Sequence, residues 1–204
     1  MIVYKVFISM MGLPLYLDTI FTITVTLLYG PLWGSITGAL TNINSITAYG
    51  LEYYLFALCN VAAALITWFF IRLFPRELDL RMNVVYTTLP MYQAGSSRLS
   101  ALMDRVIVLT LLSFALCLAI SILGGSISVF IGFFKAAAVN PAAVPTMFNS
   151  NVPMLLKEIM SRIPINIIDR LFSSFAAFGA ALGVFQIVKR IEKFQTASSR
   201  PPRP

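Results

Sequence analysis

The chain has 204 residues, of which 58% are hydrophobic and only 11% charged; a soluble chain carries roughly 45–50% and about 25%. With a mean hydropathy of +0.84, too few charges remain to cover a water-facing surface, so the composition predicts an integral membrane protein. The sequence contains no histidine, which excludes His-based triads and His-ligated zinc, haem or copper. The net charge of +7 fits the inward bias of Lys and Arg in membrane chains better than nucleic-acid binding.

Six apolar runs follow in chain order, at about 1–13, 17–30, 32–46, 53–74, 106–134 and 163–188. They predict an all-α integral membrane fold: a six-transmembrane-helix bundle over 1–190 with a disordered cytoplasmic tail over 191–204. The first run, at 1.5 Å per residue, reaches only about 20 Å against a hydrocarbon core of about 30 Å. The second and third are also short and are separated by the breaker pair Gly30-Pro31. Gly34-x-x-x-Gly38 in the third run fits close helix packing. Tyr16, Trp33, Tyr49, Tyr53 and Tyr54 are expected as interfacial anchors. No cleavable signal is expected, because the run after Lys5 meets Pro14 without a small-residue cleavage site.

With the N-terminus inside and six spans, Lys135, Lys157, Arg162 and Arg170 lie outside and the remaining 11 of the 15 basic residues inside. That bias predicts both termini in the cytoplasm. Two long connections result. The inner one, 75–104, contains an apolar patch at 84–92 that is too short to cross and is expected at the interface or against a partner. The outer one, 135–162, is expected to fold short helical pieces over the bundle.

Ionisable and amide groups within apolar spans are expensive and mark candidate sites. Asp18 opens the second span, Asn42 and Asn44 close the third, and Asn166, Asp169 and Arg170 open the sixth. This arrangement places all of them in the outer half of the bundle, as a cavity open to the outside requires. Purely structural roles compete: Asp18 as a helix cap, or an Asp18–Arg170 bridge between the second and sixth spans. Asp169 and Arg170 stand about 100° apart on a helix, so one is expected to face the cavity and the other a neighbouring helix. No paired carboxylates, Walker A pattern or activated nucleophile is present, so neither catalysis nor a cofactor is expected. Cys59 and Cys117 lie in apolar runs and read as buried hydrophobes.

Leu13-Pro14-Leu15-Tyr16-Leu17-Asp18-Thr19-Ile20, then Tyr29-Gly30-Pro31-Leu32-Trp33-Gly34 and Gly38-Ala39-Leu40-Thr41-Asn42, resemble the substrate-binding subunits (S components) of energy-coupling factor transporters. Arg162-Ile163-Pro164-Ile165-Asn166-Ile167-Ile168-Asp169-Arg170 is similar to the opening of that family's last helix. The resemblance implies a plasma-membrane, multi-pass protein that captures a vitamin-like molecule or other micronutrient from outside. Its partners would be that small molecule, the bilayer, a coupling transmembrane subunit and two ABC ATPases. It also implies that Asp18, Asn42, Asn140 in the outer loop and Asn166 lie near the ligand, beside Asp169 and Arg170. The first run lacks the family's Ala-x-x-x-Ala-like docking face, which makes the 75–104 connection a candidate dock. The alternative is a membrane sensor module for a signalling partner.

Overall fold

The computed structural model describes residues 17–43, 46, 50–80, 98–139 and 153–198. Among these the chain is helical, without strands. The elements are α1 (Thr19–Tyr29), α2 (Pro31–Thr41), a 3₁₀ segment (Leu51–Phe56), α3 (Ala57–Leu73), α4 (Pro75–Leu78), α5 (Arg98–Val139) and α6 (Met154–Ser198). Three helical stretches are long and apolar enough to cross a membrane: Leu51–Leu73, Ser100–Val139 and Met154–Glu192. This is the architecture of an all-α membrane protein.

The burial pattern agrees. Large apolar side chains such as Phe21, Leu32, Trp33, Phe69, Leu118 and Phe172 point outward, while Thr22, Asn60, Ser121, Asp169 and Ser173 are buried. Lipid is as apolar as leucine, so an outward leucine costs nothing there and small or polar residues become the packing surface.

α1 and α2 are 11 residues each, about 16 Å long, and form an antiparallel hairpin. Gly30 has φ 93°, a conformation open to glycine and strained for other residues. Pro31 then starts α2 at a position where its missing N–H costs nothing. The hairpin closes tightly through its glycines. A Cβ at Gly34 would collide with Thr26 Oγ1, and one at Gly38 would lie 3.0 Å from the backbone carbon and oxygen of Asn60 on α3. The Gly34/Gly38 pair therefore packs helices together, as its spacing predicts.

α1 packs on α2, α3 and α6, and the most extensive pairing is between α5 and α6. A small-residue stripe on α5 lets α6 approach: Gly125 abuts Ile159, Gly132 reaches Met154, and Ser121 and Ser128 bond to Asn166 and Arg162. Towards the other end, Leu109, Leu112, Leu116, Ala177, Phe178 and Ala181 belong to the apolar core.

Several expected boundaries move. At the two ends of the 135–162 connection α5 continues to Val139 and α6 begins at Met154, and the expected helical pieces between them lie outside the described residues. Pro164, expected near a helix start, lies inside α6. The expected disordered tail from 191 begins as helix, which continues to Ser198. The first run at 1–13, the patch at 84–92 and Asn44 lie outside the described residues.

Candidate functional site: an ionic triad where α1 meets α6

The start of α1 is fastened to α6 by three charged side chains. Arg170 is buried, and both of its Nη atoms reach Asp18 Oδ1 at 3.3 Å. Its Nη2 also lies 3.0 Å from Asp169 Oδ2, and its Nη1 donates to the Thr19 hydroxyl. Asp169 Oδ1 accepts the backbone N–H of Leu17 at 3.0 Å. The side chains of Arg170 and Asp169 are 4% and 0% exposed, against 38% for Asp18. Asp18 is therefore the member of the triad that something outside can reach.

Two expectations change here. Asp18 occupies the position before α1 but makes no side-chain capping bond; its carboxylate goes to Arg170 instead. Asp169 and Arg170 do not divide between a cavity and a neighbouring helix. Although their Cα–Cβ directions diverge, the long guanidinium arm folds back to its neighbour's carboxylate, and both converge on the start of α1. Two carboxylates then share one guanidinium, and such charge-assisted forks are among the stronger polar contacts.

Asn166, one turn before Arg170 on α6, is buried and donates to Ser121 Oγ on α5 at 2.8 Å. Asn42 lies at the end of α2, where its Nδ2 donates to Gly38 O at 3.4 Å. Asn140 is outside the described residues. Of the six candidates, the structure joins Asp18, Asp169 and Arg170 directly and sets Asn166 a turn away.

Other groups at this end were not singled out from the sequence. Arg162 on α6 donates to Ser128 Oγ, lies 3.8 Å from Glu158 and stacks 5.6 Å from the Phe56 ring. Lys135 on α5 bridges Glu52 at 3.1 Å and stands 4.7 Å from the Tyr53 ring. The 3₁₀ segment thus offers two aromatic rings to two cations on the long helices. Asn60 on α3 donates to Thr41 Oγ1 at 3.1 Å, holding the end of α2. An isolated Asn within the apolar run 53–74 was the available signal for this residue. Cys59, beside it, is buried.

Searches of protein-family profiles, curated proteins and solved structures return no significant match to this chain.

Proposed function

We propose that the chain is a membrane-embedded capture subunit for uptake of a vitamin-like small molecule or other micronutrient. In this reading it works with a coupling transmembrane subunit and two ABC ATPases and performs no catalysis itself. It sits in the plasma membrane as a six-span bundle with both termini cytoplasmic. The observation that carries the reading is the convergence of Asp18, Asp169 and Arg170 at one end of the bundle, with the half-exposed Asp18 on its open side. Buried ionic groups within spans are retained where they serve a ligand or ion path.

The two stretches that resemble the S components contain these residues. The charge distribution supports the orientation: Arg72 near the end of α3, Arg105 near the start of α5, and Lys189 and Arg190 near the end of α6 occupy the end away from the triad. This would make the triad end external.

Co-purification of the tagged chain in mild detergent tests the assignment. Recovery of two ABC ATPases and a membrane coupling subunit is expected. Recovery of a kinase or cyclase instead would favour the sensor reading, and recovery of the chain alone would remove support for a shared transporter. Asp18→Ala and Asn166→Ala should lower uptake while the protein still reaches the membrane. Wild-type uptake in both would remove the pocket from this place.

A further inference from the structure

The ionic groups at the triad end of the bundle differ in their balance. Lys135 and Glu52 pair at 3.1 Å, and Arg162 and Glu158 more loosely at 3.8 Å. Each of these joins one cation to one carboxylate. The triad instead joins two carboxylates to one guanidinium, which lies 3.3 Å from Asp18 and 3.0 Å from Asp169. Its other described partners, the Thr19 hydroxyl and the Leu17 backbone N–H, are uncharged. Among the described residues, the triad is therefore left with negative charge in excess.

Burial decides where that excess can be answered. Asp169 and Arg170 are closed off, whereas Asp18 is half-buried. Both Nη atoms of Arg170 reach the same oxygen, Asp18 Oδ1. Among the described residues Asp18 Oδ2 accepts no hydrogen bond. By occupying Oδ1, Arg170 leaves the other carboxylate oxygen as the acceptor that a molecule outside can use.

The chemistry of this acceptor selects its ligand. An anion finds no donor, because the guanidinium is buried behind the carboxylates it serves. A metal ion takes several oxygen ligands at once, and among the described residues no group of three or more His, Cys, Asp or Glu could hold one. A neutral hydroxyl could donate to Oδ2 but would leave the excess charge uncancelled. A positively charged group with an N–H answers both needs. It donates to Oδ2 in a charge-assisted bond, and the low dielectric beside a buried ionic cluster strengthens the attraction.

We propose that Asp18 Oδ2 is the acceptor for a protonated amine, so that the captured molecule is an organic cation with an N–H at its charged end. The inference rests on the capture reading for what the site serves, but not for whether it binds. The same ammonium chemistry belongs to soluble amines and to the headgroup of an aminophospholipid.

The purified full chain, without partner subunits, provides the test. Thermal unfolding in detergent is compared in methylammonium, tetramethylammonium, magnesium and sodium chloride at equal ionic strength. The two organic ions have the same charge, and only the first has an N–H. The midpoint should rise saturably with methylammonium, by roughly 3–6 °C at ten times the dissociation constant, and not with the others. Asp18→Asn, which keeps the shape of the side chain and removes its charge, should abolish the rise. Glu158→Gln should retain it, since that carboxylate has the same 38% exposure but a cation of its own. A midpoint indifferent to methylammonium, an equal rise with tetramethylammonium or magnesium, or an undiminished response in Asp18→Asn overturns the proposal.

Mass spectrometry of what the chain carries out of its native membrane separates the two sources. A soluble amine or an aminophospholipid, held by the wild type and lost from Asp18→Asn, supports the site in either case. A molecule without a cationic N–H that is lost in the same way overturns it. Failure to recover ABC ATPases would remove the capture reading and leave the amine site standing.

Discussion

The backbone N–H of Leu17 donates to the Asp169 carboxylate across 152 residues of chain. Leu17 adopts φ 49°, a left-handed conformation that costs an L-residue roughly 1–2 kcal/mol. The bond to Asp169 and the neighbouring Asp18–Arg170 bridge hold it there. The entry of α1 is thus set by α6, and the carboxylates on either side of Arg170 are unequal in burial. Asp169→Ala should destabilise the chain by about 3–5 kcal/mol, since it leaves a buried guanidinium half-compensated and the Leu17 N–H without its acceptor. Asp18→Ala should cost about 1 kcal/mol or less because solvent already screens that side. Thermal unfolding in one detergent compares them, and an equal loss in both would contradict the burial difference.

Arg170 touches Asp18, Thr19 and Asp169 together, which requires a planar fork. Lysine supplies one point charge on a flexible stem. Arg170→Lys should therefore lose more than half of the stability lost in Arg170→Met, measured by unfolding midpoint. A lysine variant with wild-type stability would mean that charge alone holds the triad.

The two hairpin glycines should respond differently to rescue. Gly34→Ala brings a Cβ against the Thr26 side chain, whereas Gly38→Ala meets the backbone of Asn60. Overpacking of this kind costs typically about 1–3 kcal/mol. Adding Thr26→Ala should recover part of the Gly34→Ala loss, because the nearest clashing atom is the hydroxyl it removes. Truncating Asn60 should not recover the Gly38→Ala loss. Gly179→Ala and Gly183→Ala, with open space at both positions, serve as controls and should leave the midpoint within about 0.5 kcal/mol of the wild type.

Sidedness can be read by cysteine labelling in a background with Cys59 and Cys117 replaced. Asn42→Cys and Lys157→Cys should react with an impermeant maleimide from one face of sealed vesicles. Arg190→Cys should react only from the other. Labelling of Asn42→Cys and Arg190→Cys from the same face would contradict the hairpin arrangement.

Much of this arrangement was legible because charges are rare in apolar runs. Asp18 and Arg170 each interrupt such a run, and their pairing was one of the roles open to them. The meeting of Asp169 with Arg170 was not legible from the helical wheel, which gives the direction of Cβ but not the reach of a guanidinium several bonds further on. Helix ends were misplaced for a different reason: hydropathy stops at Lys135 and Arg162, but hydrogen bonding does not. The Ala-rich stretch after Lys135 and the residues from Met154 onward have helix-forming composition whether or not lipid surrounds them.

The reversal at Gly30 has a topological consequence. A segment that turns back leaves the bilayer on the face where it entered, however deep its tip reaches. The α1–α2 hairpin therefore contributes either two crossings or none, and both numbers are even. Leu51–Leu73 must set out from the same face as Leu17, so the sidedness of every later helix is indifferent to the hairpin's depth. Evolution could lengthen or shorten the hairpin to suit what lies above it without turning the rest of the protein inside out.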